Sequence, residues 1–158
     1  MPQISRRAVL SLGLAIVVSA CGGRDQTRTF VHAGGPLYPG ETPELRALIV
    51  QYAAEYEVPV SLVHRVVQRE SGYNPRARNG SYMGLMQILP QTARTMGFRG
   101  EPSDLLDAET NLRYAVKYLR GAWMVADGSE DRAVMWYARG YYYEAKRRGL
   151  LAATGLRA

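Results

Sequence analysis

The chain has 158 residues, 47% of them apolar and 22% charged, which is enough for one packed domain and excludes wholesale disorder. Its formal net charge is +6, a modest and scattered surplus that argues against nucleic acid and suits an anionic polymer or lipid surface. One cysteine and two separated histidines make no zinc site, no phosphate loop with its lysine is present, and no metal or cofactor is expected.

Residues 1–20 read as an export signal. Arg6 and Arg7 precede an apolar run, Ala8 to Ala20, which is short for a bilayer span and the right length for a signal core. Ser5-Arg6-Arg7 resembles a twin-arginine start, and Val18-Ser19-Ala20-Cys21 resembles a lipoprotein box. Cys21 would then be lipidated and become the first mature residue. A plain membrane anchor with an incidental cysteine is the alternative. On the lipoprotein reading the mature protein lies outside the cytoplasm with no cysteine left for a disulfide. Loss of residues 1–20 removes two arginines and no acid, so the net charge falls from +6 to +4. Residues 22–41 hold five Gly and two Pro without periodicity and read as a flexible linker, reaching on the order of 25 Å.

From Thr42 the apolar period becomes helical. Thr42 can cap and Pro43 suits a first turn, with Leu45, Leu48, Ile49, Tyr52 and Ala53 on one face. Pro59 breaks this helix. Ser61 is expected to cap the next, with Leu62, Val63, Val66 and Val67 as its stripe and Gly72 as its stop. A short helix is expected over 90–96. A long one follows from an Asp107 cap, with Leu112, Ala115, Val116, Leu119, Trp123 and Ala126 facing inward. Further helices are expected over 130–139 and 141–151. No stretch alternates long enough to be a strand, so the expectation is an all-α domain over 42–158.

Glu70 breaks the pattern of its helix. It lies three, four and seven residues after Val67, Val66 and Val63, so it continues the buried stripe in the last turn. Partial desolvation and the negative helix end both favour its protonated form, as a general acid requires. Taken alone, a glutamate bending out at a frayed helix end is the commoner case. Here Tyr73-Asn74-Pro75 and Asn79-Gly80 turn the chain, and Gly84-Leu85-Met86-Gln87-Ile88 follows. Gly84 permits close approach, Met86 offers a soft apolar wall, and Gln87 offers a donor and an acceptor. Eleven tyrosines suit a half-wet groove, although most of them are expected at the edge of the core.

Glu70-Ser71-Gly72-Tyr73-Asn74-Pro75, Gly84-Leu85-Met86-Gln87-Ile88, Pro90 and Thr92-Ala93 closely resemble the soluble-type lytic transglycosylase catalytic domain. The likeness runs on through Asn111-Leu112 and Tyr118-Leu119 to Tyr137 and Gly140, covering about residues 45–145. It implies a goose-lysozyme-like, mainly helical fold and cleavage of the β-1,4 bond between N-acetylmuramic acid and N-acetylglucosamine, leaving 1,6-anhydro ends. It implies Glu70 as catalytic acid and base, Ser71 and Gln87 as substrate contacts, Met86 as groove lining, and Tyr137 with its hydroxyl near Glu70. The expected partners are peptidoglycan strands and, through Cys21, a membrane. The expected setting is the periplasm, with Gly22 compatible with outer-membrane sorting, and the expected state is a monomer.

Two positions depart from the family pattern. Trp136-Tyr137-Ala138-Arg139-Gly140 keeps the Tyr and Gly of the common Ala-Tyr-Asn-Ala-Gly but has Ala138 in place of Asn. Ala115 stands where Gly is common. The run Tyr141-Tyr142-Tyr143 is read as core and rim. Two alternatives remain open: a lysozyme-like muramidase, in which Asp104, Asp107 or Glu109 would reach the cleft as a second carboxylate, and a murein-binding lipoprotein without turnover.

Overall fold

The computed structural model describes residues 35–157. The expected signal, Cys21 and residues 22–34 of the expected linker lie outside the described residues. The architecture is mainly helical, as the apolar periodicity indicates. Helix α1 spans Pro43–Glu55, α2 Val60–Ser71, α3 Pro90–Thr95, α4 Ala108–Val125, α5 Glu130–Arg139 and α6 Tyr142–Arg147. A hairpin of β1 (Arg78–Asn79) and β2 (Tyr82–Met83) pairs antiparallel between α2 and α3. A 3₁₀ turn, Pro102–Leu106, precedes α4.

Helix α4 is the central element, packing against α1, α3, α5 and the 3₁₀ turn. Its inward residues Leu112, Ala115, Val116, Leu119 and Ala122, and Ala126 at its C-cap, are fully buried. Leu62, Val63, Val66 and Val67 of α2 are buried too, each contributing about 1.5–3 kcal/mol of transfer free energy. The Thr42 hydroxyl accepts from the Leu45 amide and Asp107 accepts from Thr110, so both expected caps form. Gly121 makes room on α4 for Tyr141, whose hydroxyl donates to the Tyr118 carbonyl at 2.8 Å.

Several expectations change. Ser61 is not a cap: Pro59 takes that position, so α2 begins at Val60, two residues earlier than expected, and the Ser61 hydroxyl donates to Glu130 of α5 at 2.6 Å. The last helix stops at Arg147 because the chain turns at Gly149, at φ +70°. The hairpin strands have two residues each, too few to carry an alternating pattern.

Residues 35–41, the end of the expected linker, pack onto the domain. Arg46 of α1 donates to the Gly35 and Pro36 carbonyls and to both carboxylate oxygens of Glu41, at 2.9 and 2.6 Å. Tyr38 stacks on Tyr73, whose hydroxyl lies 2.9 Å from His64 Nδ1. Gly40 presses on the carbonyl of Gly72, where a Cβ would not fit. This segment is a strap across the C-terminal end of α2. His64 is buried beneath it.

Candidate active site

Glu70 sits in the last turn of α2, which Gly72 ends in the left-handed conformation at φ +57°. Its side chain is 23% exposed, and the nearest cation, Arg69, lies 3.6 Å away with its own side chain largely in solvent. Desolvation raises the Glu70 pKa above the ordinary carboxylate value, and the Arg69 charge only partly opposes it. The expected protonation bias is therefore present, and burial is its main cause.

The loop facing Glu70 is held from below. Gly84 takes φ +77°, and a Cβ there would collide with Asn111 Nδ2 and the Leu105 carbonyl. The close approach that Gly84 permits is thus made by the protein's own Asn111. Fully buried Asn111 donates to the Met83 and Leu105 carbonyls at 2.9 and 2.8 Å and accepts from the Met86 amide at 2.9 Å. The Tyr137 hydroxyl donates to the Met86 carbonyl at 2.8 Å. Both polar backbone groups of Met86 are therefore used by side chains from α4 and α5.

Anchored in this way, the Met86 side chain points into the core and is fully buried. The expectation that it lines the groove is corrected: its backbone builds the site and its thioether packs beneath it. Gln87 follows at φ +49°, and its Nε2 donates to the Ala77 and Gly84 carbonyls at 3.1 and 2.9 Å. Two carbonyl partners fix which end of the amide is nitrogen. The Gln87 oxygen is the amide group left for the cleft that Gln87 lines.

That cleft has two adjoining lobes. One, of about 310 Å³, is lined by Arg69, Glu70, Asn79, Tyr82, Gln87, Tyr137 and Ala138. The other, of about 230 Å³, shares Tyr82, Gln87, Tyr137 and Ala138 and extends past Thr92 and Tyr118 to Arg139. Glu70, Gln87 and Tyr137 therefore line one lobe together. Burial, then the nearby Glu70 charge, pushes the Tyr137 phenol well above its usual range, so it stays a neutral donor. Ser71 does not line either lobe; its hydroxyl donates back to the Val67 carbonyl at 3.2 Å.

The tyrosine run divides as core and rim. Tyr141 is buried, Tyr142 and Tyr143 are exposed, and none of the three lines either lobe. None replaces the amide missing at Ala138. Sequence reasoning read Asn79 only as part of a turn and did not name Tyr82; both line the cleft from a hairpin it did not foresee. It gave no role to Asn111, although a polar residue four positions before Ala115 on a buried stripe is a readable signal.

Asp104, Asp107 and Glu109 stay away from the cleft. Asp104 accepts from the Glu101 amide, Asp107 caps α4, and Glu109 accepts from Tyr52 and Arg113. Among the described residues no group of three or more His, Cys, Asp or Glu is placed to hold a metal ion.

A mainly helical fold around a cleft with one desolvated carboxylate defines a lysozyme-like domain. The chain belongs to the transglycosylase SLT domain family, whose family model matches residues 47–149. It is 34% identical over 118 residues to membrane-bound lytic murein transglycosylase F of Vibrio cholerae serotype O1, covering 73% of this chain and 20% of that protein. It is 34% identical over 80 residues to the soluble lytic murein transglycosylase of Escherichia coli K12, covering 46% and 12%. It is 38% identical over 80 residues to membrane-bound lytic murein transglycosylase C of Yersinia enterocolitica, covering 46% and 22%. The chain thus spans about a fifth or less of the length of these relatives. No solved structure matches it.

Proposed function

We propose that the protein is a peptidoglycan lytic transglycosylase that cleaves the bond between N-acetylmuramic acid and N-acetylglucosamine and leaves 1,6-anhydro ends. The observation that carries this reading is the solitary carboxylate: among the described residues, Glu70 is the only acidic side chain lining either lobe of the cleft. Most glycosidases use two carboxyl groups, about 5–5.5 Å or about 6.5–9.5 Å apart. With Asp104, Asp107 and Glu109 engaged elsewhere, a muramidase that activates water lacks its second group. Relatives named as lytic murein transglycosylases support the same choice.

With one carboxyl group the substrate must supply the second function. Protonated Glu70 gives its proton to the glycosidic oxygen as the bond to C1 breaks, while the N-acetyl oxygen of the muramyl residue stabilises C1. Ionised Glu70 then takes the proton of the C6 hydroxyl as O6 bonds to C1. The net reaction uses no water and returns Glu70 to its starting form. Gln87 offers its amide oxygen to a substrate N–H or hydroxyl. Tyr137 holds the loop carbonyl of Met86 and keeps the Glu70 surroundings dry. Ser71 acts by shaping the end of α2.

The test is digestion of purified peptidoglycan, with mass spectrometry of the soluble products. Ends lighter by one water and resistant to borohydride are expected. Reducible ends would establish a muramidase instead, and binding without product would establish a binding module. We also propose that the domain works outside the cytoplasm, held at a membrane by a lipid on Cys21; among the described residues no helix is long and apolar enough to cross a membrane. Cys21→Ser is expected to release the protein from the membrane fraction, and unchanged fractionation would refute the anchor.

A further inference from the structure

The lobe of the cleft away from Glu70 has a chemical character of its own. Its lining residues include no acid and one cation, Arg139. Arg139 is the last residue of α5, and Gly140 at φ +81° turns the chain immediately after it. The other arginines of this end of the molecule are engaged: Arg148 with Asp127 at 2.6 Å, Arg147 with Glu144 at 2.6 Å, and Arg132 with the Ala126 carbonyl at 2.9 Å. The Arg139 side chain is exposed and makes no hydrogen bond or ion pair with any described residue. A cation at a helix C-terminus complements the dipole wherever its side chain points. That role does not require it to line a cleft.

Ala138, beside it, lines both lobes. Tyr82, Thr92 and Tyr118, each bearing a hydroxyl, also line this lobe. A free guanidinium fork in an acid-free, hydroxyl-lined lobe matches a carboxylate, which it can hold with two parallel hydrogen bonds.

We infer that this lobe is a carboxylate-binding subsite in which Arg139 receives an acidic group carried by the substrate strand beside the scissile bond. The inference rests on the reading of the cleft as a peptidoglycan site. Murein carries such carboxylates in two places. The lactyl group of muramic acid is free when the peptide stem has been removed, and the stem has free carboxyl groups when it is present. Either one selects muramyl strands over neutral amino-sugar polymers, and the pairing weakens with rising salt.

The test measures binding of soluble glycan strands to the full chain carrying Glu70→Gln, so that strands are not consumed. Four strand preparations are used: with stems or stripped of them, each with carboxyl groups free or capped as amides. Capping is expected to weaken binding about tenfold on the strand type that supplies the ligand, the scale of a lost charge-assisted pair. Adding Arg139→Gln should weaken binding of the uncapped strand to the same extent and abolish the effect of capping. Arg139→Lys should fall between, because it keeps the charge and loses the fork.

The strand type that shows this coupling identifies the source as lactyl or stem carboxylate. Equal effects of capping with and without Arg139, no effect of Arg139→Gln, or no binding of any strand would overturn the subsite. The underlying reading fails separately: native protein that yields no anhydro ends would refute the activity, whatever the binding pattern.

Discussion

Two carboxylates flank the same end of helix α2 and behave in opposite ways. Glu41, on the strap, has no exposed side-chain surface, whereas Glu70 retains 23%. Burial pushes both carboxyl groups up. At Glu41, two hydrogen bonds from Arg46, one from the Tyr38 amide and the nearby His64 and Arg46 charges outweigh it, and the pKa lies below the ordinary value. Glu70 has one loose, solvated partner, and its pKa lies above the ordinary value. Pairing, not depth, decides which carboxyl group is held ionised and which is held ready to donate a proton.

The largest effect should come from removing the acid. Glu70→Gln is expected to cut turnover by about 10²–10⁴-fold, the usual range for a general acid–base group, read as release of anhydro muropeptides. Near-normal turnover would refute the assignment. Stability should respond in the opposite direction. With its folded pKa raised, Glu70 is held protonated by the native state more than by the unfolded chain. Its contribution therefore declines as pH rises from the ordinary carboxylate value through the raised one. The Gln variant should be no less stable than wild type at pH 7 in urea unfolding, and its stability should fall less with pH across that window.

Breaking the other pair should convert Glu41 into a second Glu70. Arg46→Leu leaves a buried carboxylate unpaired and is expected to cost about 3–5 kcal/mol in denaturant unfolding. The pH dependence should also change sign. In wild type the lowered Glu41 pKa gives stability that is present above the ordinary value and lost as pH falls through the folded value. In the variant, Glu41 should take up a proton instead, and its contribution should be lost as pH rises. An unchanged profile would mean that Tyr38 and His64 suffice without Arg46.

Asn111 asks whether pairing matters equally for a neutral buried group. Its side chain makes three hydrogen bonds within the core. Asn111→Ala leaves the Met86 amide and two carbonyls without those partners, at about 1–3 kcal/mol for each group left unsatisfied, lessened where water enters. Turnover per folded molecule should also fall, because Asn111 anchors the loop that carries Gln87. Lost stability with full activity would show that the loop keeps its shape without it.

These residues also mark how far the sequence could be read. The helices were legible because caps and apolar stripes are local signals: Thr42, Asp107 and Gly72 act where their chemistry indicates. Glu70 was legible as a charged residue on a buried stripe. Met86 was not, since a loop has no period to separate inward from outward side chains. Its direction is set by Asn111, 25 positions away, and Tyr137, 51 positions away. The strap was hidden for a related reason. Arg46 grips the Gly35 and Pro36 carbonyls, and backbone acceptors leave no trace in a side-chain pattern, so Gly and Pro read only as linker.

The smallest effect tests the loose end of the comparison. Arg69 is the one charge opposing desolvation at Glu70, and it does so from 3.6 Å across partly solvated space. Arg69→Gln removes that opposition, so the Glu70 pKa should rise further. A reaction that needs protonated Glu70 loses rate as pH climbs through this pKa, so the alkaline limb of kcat/KM against pH should move to higher pH. Added salt should shrink the difference between wild type and variant, because it already screens the Arg69 charge in the wild type. An alkaline limb that stays in place would mean that some other group titrates there, with the buried Tyr137 phenol excluded by its high pKa. A limb that moves to lower pH would mean that Arg69 holds Glu70 in its dry position, and that losing the side chain lets water reach the carboxyl group.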